Sequence, residues 1–83
     1  MSSMMQEKLQ KLFKEISLEE ELLSYFNNAS IDKIVVYDGD RQIDFVLNTE
    51  NVLPIEVYNN TLYKLISYFN AIETIRLIIK PSY

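Results

Sequence analysis

The chain has 83 residues, 48% of them hydrophobic and 24% charged, too few for two ordinary domains and too apolar for disorder, so residues 1–83 are expected to form a single α+β domain. Eight Lys or Arg stand against twelve Asp or Glu, and the chain contains neither His nor Cys. The resulting field disfavours nucleic acid and anionic membranes, while nucleophile pairs built on His or Cys, the usual zinc sites and disulfides are all excluded.

The first residues, Met1-Ser2-Ser3-Met4-Met5-Gln6-Glu7-Lys8, lack the basic start and apolar stretch of a secretory signal. The longest apolar runs, such as Leu77-Ile78-Ile79, fall far short of the roughly 20 residues that span a bilayer. A cytoplasmic location is the expectation. One Gly and two Pro leave no flexible linker within the chain.

Met5, Leu9, Leu12, Phe13 and Ile16 fall on one stripe at helical spacing and predict a first helix. Ser17-Leu18-Glu19-Glu20 fits a capping box that would open a second helix, with Leu18, Leu22, Tyr25 and Phe26 as its buried face and Asn27-Asn28 as its end. Residues 31–37 are rich in β-branched side chains. Residues 42–47 alternate, with Ile43, Phe45 and Leu47 to one side and Gln42 and Asp44 to the other. Asp38-Gly39 between them supplies a pair that tolerates positive φ, as a tight hairpin needs.

Pro54 suits the first turn of a third helix reaching about Asn70, whose apolar stripe reads Ile55, Tyr58, Leu62, Leu65, Ile66, Phe69 and Ile72. Residues 74–80 form a last strand, with Ile75, Leu77 and Ile79 opposed to Arg76 and Lys80. The order is α-α-β-β-α-β, a two-layer sandwich with a three-stranded sheet and a right-handed crossover through the third helix. Whether the last strand lies beside the first or the second is left open by the patterns.

No catalytic, cofactor-binding or metal-binding set emerges. Asp38, Asp40 and Asp44 gather at the hairpin, but the spacing departs from a calcium loop, with Ile43 and Thr49 where Gly and Glu are required. The acidic run Glu19-Glu20-Glu21 is accounted for by the helix dipole. Six Tyr and four Phe lack the basic groove that base-stacking proteins pair with aromatics. On the third helix, Tyr63, Lys64 and Tyr68 lie off the apolar stripe and are the candidate protein-contact residues.

The α-β-β-α-β order is similar to that of K-homology domains of the second topology, yet Gly39 is the sole glycine, so their Gly-x-x-Gly nucleic-acid loop is missing. A more specific likeness runs from about Phe13 to Ile79. It comprises the acidic segment from Leu18 to Phe26, Ala29-Ser30-Ile31-Asp32-Lys33-Ile34 leading into the first strand, and Ile43-Asp44-Phe45 in the second. Val52-Leu53-Pro54-Ile55-Glu56-Val57-Tyr58 then approaches the long helix, followed by Phe69-Asn70-Ala71-Ile72 and the last strand. In these features the chain resembles the extreme N-terminal domain of PolC-type bacterial replicative DNA polymerases.

That resemblance implies a parent enzyme that synthesises DNA and proofreads 3′ to 5′, with both active sites downstream of this region. It further implies a non-catalytic accessory domain, needing no cofactor, that contacts another replisome protein. The contrasting expectation is a free-standing acidic protein that binds a partner or dimerises. The sequence leaves the identity of any partner and the oligomeric state open.

Overall fold

The computed structural model describes residues 4–82; residues 1–3 and 83, on which part of the signal-sequence reading rests, lie outside them. The elements are α1 (Met4–Glu15), α2 (Glu20–Leu23) running into a 3-10 turn (Ser24–Phe26), β1 (Ser30–Tyr37), a 3-10 turn (Asp38–Asp40), β2 (Gln42–Thr49), α3 (Ile55–Tyr68) and β3 (Thr74–Pro81). The predicted order and the α+β, two-layer class hold. The question left open by the patterns is resolved: β2 is central, antiparallel to β1 and parallel to β3.

The helices cover one face of this sheet. Leu9, Phe13 and Ile16 of the first helical segment, Phe26, Ile31, Phe45, Leu47, Val57, Leu65, Ile75 and Leu77 form one buried cluster, so the alternation of Ile43, Phe45 and Leu47 does point the predicted way. Aromatic contacts tie the layers, with Phe13 and Phe26 ring centroids 4.7 Å apart and Phe45 and Phe69 5.6 Å apart.

Ser17 does not open the second helix; it closes the first. Its φ is 58°, and the Ser17 N–H donates to the Lys14 carbonyl at 3.2 Å while the Leu18 N–H donates to Phe13 at 3.0 Å. This is a Schellman closure, with the accompanying hydrophobic contact supplied by the buried pair Phe13 and Leu18. The helix that follows begins later, at Glu20, with Glu19 as its N-cap and no side-chain cap. The sequence pattern of a capping box is present, but the Leu18 N–H bond to the Phe13 carbonyl and the burial of both residues in the core hold the backbone in the reverse sense. A left-handed Ser is strained where Gly is not, so Ser17→Gly is expected to stabilise the fold by about 0.5–1 kcal/mol. Urea unfolding measures it, and a loss of stability would show that the hydroxyl matters at this corner.

The hairpin differs likewise. Tyr37 pairs with Gln42, leaving a four-residue connection in which Arg41, at φ 51°, takes the left-handed position and Gly39 does not. A Cβ at Gly39 would meet nothing within 4 Å, so the turn places no demand on that glycine. The Arg41 carbonyl instead accepts the N–H groups of Glu73 and Thr74 at 3.0 and 3.2 Å, so the loop is shaped by docking on the start of β3.

On α3 the buried stripe is Val57, Thr61 and Leu65, flanked by Tyr58, Leu62 and Phe69. Ile55 and Ile66, expected inside, are 65% and 46% exposed. Thr61 is fully enclosed because its hydroxyl bonds the Val57 carbonyl one turn back at 2.8 Å, which makes a nominally polar residue the small contact point of the helix. Pro54 stands one position earlier than expected, as the N-cap, its carbonyl receiving the Tyr58 N–H at 3.1 Å.

Thr49, at the end of β2, is 1% exposed and its hydroxyl finds no hydrogen-bond partner among the described residues. A buried unpaired hydroxyl is costly, so Thr49→Val is expected to stabilise by roughly 1 kcal/mol. A lower thermal midpoint for the Val variant would refute this.

Candidate interaction surfaces

Of the three predicted contact residues, Tyr63 is the most open, 67% exposed and without a hydrogen bond among the described residues. Lys64 and Tyr68, one turn apart, each bond within the fold. Lys64 Nζ lies 3.1 Å from Glu19 Oε1, and Tyr68 Oη donates to Glu15 Oε2 at 3.1 Å. Together they latch α3 to the corner between α1 and α2. The bond and charge of Glu15 push the Tyr68 hydroxyl up, while the Lys64 ammonium holds Glu19 below the usual carboxylate range. The acidic run therefore has one member engaged internally.

The other face of the sheet carries no helix. Asp44, 2% exposed, is buried there by side chains alone. The Arg76 guanidinium donates twice to it, Nε to Oδ1 at 2.8 Å and Nη2 to Oδ2 at 2.6 Å, and Tyr37 Oη and Gln42 Nε2 each donate at 3.0 Å. The Arg76 bonds foremost hold the Asp44 carboxyl well below its usual range against the opposing effect of desolvation, and the carboxylate in turn raises Arg76. The hairpin carboxylates thus part company: Asp44 is tied to β3, Asp38 and Asp40 are exposed on the turn, and no group of three or more metal-ligating side chains occurs among the described residues.

Val46 lies beside this clasp. It is 4% exposed yet outside the core cluster, because its register neighbours Lys33 and Ile78 flank it on the uncovered face. Lys80 Nζ approaches Asp32 Oδ2 at 3.3 Å across the same face. The sequence reading set Arg76 and Lys80 away from the core but missed Val46 and Ile78. A signal was present, since both are apolar residues on the polar phase of their strands, at one register position.

A groove of about 840 Å³ runs between α1 and the α2 segment, floored by Leu9, Phe13, Leu18 and Phe26 and rimmed by Gln10, Lys14 and Asn28. Val52, Leu53, Ile55 and Tyr58 meet Ile79 and Pro81 in a second, smaller cleft. This is the segment Val52 to Tyr58 on which the resemblance rests most. Its parts are structural: Pro54 starts the helix, Val57 enters the core, and the Tyr58 hydroxyl bonds the Leu77 carbonyl on edge strand β3.

These positions belong to a recognised pattern, for residues 8–79 match the family model described as DNA polymerase III polC-type N-terminus I. The chain belongs to this N-terminal family of PolC-type DNA polymerase III. A protein named DNA polymerase III PolC-type from Oceanobacillus iheyensis is 31% identical over 72 residues, which cover 86% of this chain and 5% of that relative. The chain therefore spans a small fraction of the curated protein it matches. No solved structure matches it. Among the described residues, no helix is long and apolar enough to cross a membrane.

Proposed function

We propose that this domain is a non-catalytic interaction module of a PolC-type replicative polymerase, holding another replisome protein while DNA synthesis and proofreading take place elsewhere in the parent. The observation that carries this reading is the three-stranded face left free of helices, with the exposed Ile78 beside the buried Val46 and charged side chains around them. A partly apolar, polar-rimmed surface on a small domain is suited to protein contact. The buried carboxylate on that face is engaged by Arg76, Tyr37 and Gln42, which fits a structural role for it.

Titrating the labelled 83-residue chain against purified clamp-loader tau, helicase-loader and primase proteins tests the proposal. Saturable binding of one of them at tens of micromolar or tighter is expected, and silence from all of them refutes it. A second reading, self-pairing of a free-standing protein, draws on edge strand β1, where Ile34 and Val36 are exposed. Sedimentation equilibrium separates the two: a monomer that binds a replisome protein supports the first, and a stable dimer that binds none supports the second.

A further inference from the structure

We infer that the helix-free face of the sheet docks an acidic segment of its protein partner, one that sets carboxylates against Lys33, Arg76 and Lys80 and an apolar side chain over Ile78; this rests on the interaction-module reading. Charge is distributed unevenly over the fold. By register and bonding, the face bears three cations, Lys33, Arg76 and Lys80, and two anions, Asp32 and Asp44. The whole chain has eight Lys or Arg and twelve Asp or Glu, so eight less three leaves five cations elsewhere, against ten anions from twelve less two. One face is thus net positive on a chain that is otherwise strongly negative.

Both acids on the face already have partners. Asp44 is enclosed by Arg76, Tyr37 and Gln42, and Asp32 meets Lys80. Lys33 is exposed and has no ion-pair partner among the described residues, while the side chains of Arg76 and Lys80 remain 54% and 56% exposed despite their bonds. Arg76 is held by its two bonds to Asp44, so a ligand carboxylate would meet a guanidinium already fixed in place. The exposed Ile78 among these charges calls for a segment in which hydrophobic side chains interrupt the acids. The acidic remainder of the chain repels a nucleic-acid backbone, which favours an acidic polypeptide over an oligonucleotide.

The probe is a synthetic peptide of about a dozen residues alternating Glu with Leu and Phe, added to the 15N-labelled 83-residue chain at low and high salt. Amide shifts confined to β1, β2 and β3, loss of binding at high salt, and about tenfold weaker binding of Lys33→Glu are expected. Ile78→Ser should weaken binding as well, whereas Tyr63→Ala should not. Lys33→Gln serves as a milder variant should charge reversal disturb the strand. Absence of binding, shifts that map to the α1–α2 groove or to α3, undiminished affinity in both Lys33 variants, or preference of this face for a single-stranded oligonucleotide each overturn the inference. A replisome protein that binds wild type and Lys33→Glu equally sinks the face and leaves the module reading intact. Peptide bound on the strands with every replisome protein silent does the reverse.

Discussion

Leu47→Ala is expected to lower the thermal midpoint by roughly 10–25 °C and to leave the chain close to its limit of stability. Leu47 is 1% exposed on the central strand, with Ile31 and Ile79 as its register neighbours on the helix-covered side. Truncating such a leucine costs about 2–5 kcal/mol once the unfilled cavity is included. A domain of this length has only about 4–12 kcal/mol to lose. Val36→Ala, on the exposed part of β1, removes similar atoms from water rather than from the core and is expected to change stability by less than about 0.5 kcal/mol. Differential scanning calorimetry of the pair decides the matter. Similar small losses at both sites would mean that β2 is not the central strand.

Breaking the Asp44–Arg76 clasp is the second large effect, and its pH dependence distinguishes it from a packing defect. Arg76→Met keeps most of the stem volume but leaves a carboxylate 2% exposed without its principal counter-charge, so the thermal midpoint at pH 7 is expected to fall by roughly 10 °C. The sign follows from the depressed folded-state pKa of Asp44. Its stabilisation is complete above the ordinary carboxylate pKa of about 3.9 and is lost as pH falls below that toward the folded value. Wild type therefore loses stability on acidification below about pH 4. The variant, whose unpaired carboxylate now favours the proton, loses less, and the two melting curves draw together. A gap between them that stays constant from pH 7 to pH 2.5 would assign the effect to lost packing by the Arg76 stem instead.

The same clasp shows how far the sequence could be read. The alternation in residues 42–47 places Asp44 opposite the core, and the alternation in residues 74–80 does the same for Arg76. Nothing in either strand says they are neighbours. That depends on β3 pairing with β2 in the register that puts Asp44 beside Arg76, a contact across 32 positions in the chain. The uncovered face has the same origin. Val46 and Ile78 each look like stray apolar residues on a polar phase until the parallel pairing sets them side by side.

Local signals failed where tertiary contacts outweighed them. Ser17 fits a capping box, but burying Phe13 against Leu18 sends the chain through a left-handed residue at that point. Gly39 fits a tight turn, but docking of the Arg41 carbonyl on residues 73 and 74 moves the left-handed position to Arg41. On α3, large apolar residues marked a stripe that the fold rotates toward Val57 and Thr61, where the Thr61 hydroxyl is satisfied by the Val57 carbonyl and so can be buried. No local pattern announces that Lys64 pairs with Glu19 or that Tyr68 bonds Glu15.

The sequence by itself determined the class and order of the elements, the sides of β2 and β3 that face the core, the absence of His and Cys chemistry, and the family. These follow from periodicity, composition and a short motif, all local along the chain. Only the tertiary structure decided which strand is central, which turn residues bear the strain, and that a net-positive, helix-free face exists on an acidic chain. Each of those depends on pairings between residues distant in sequence, whose free energy no local pattern contains.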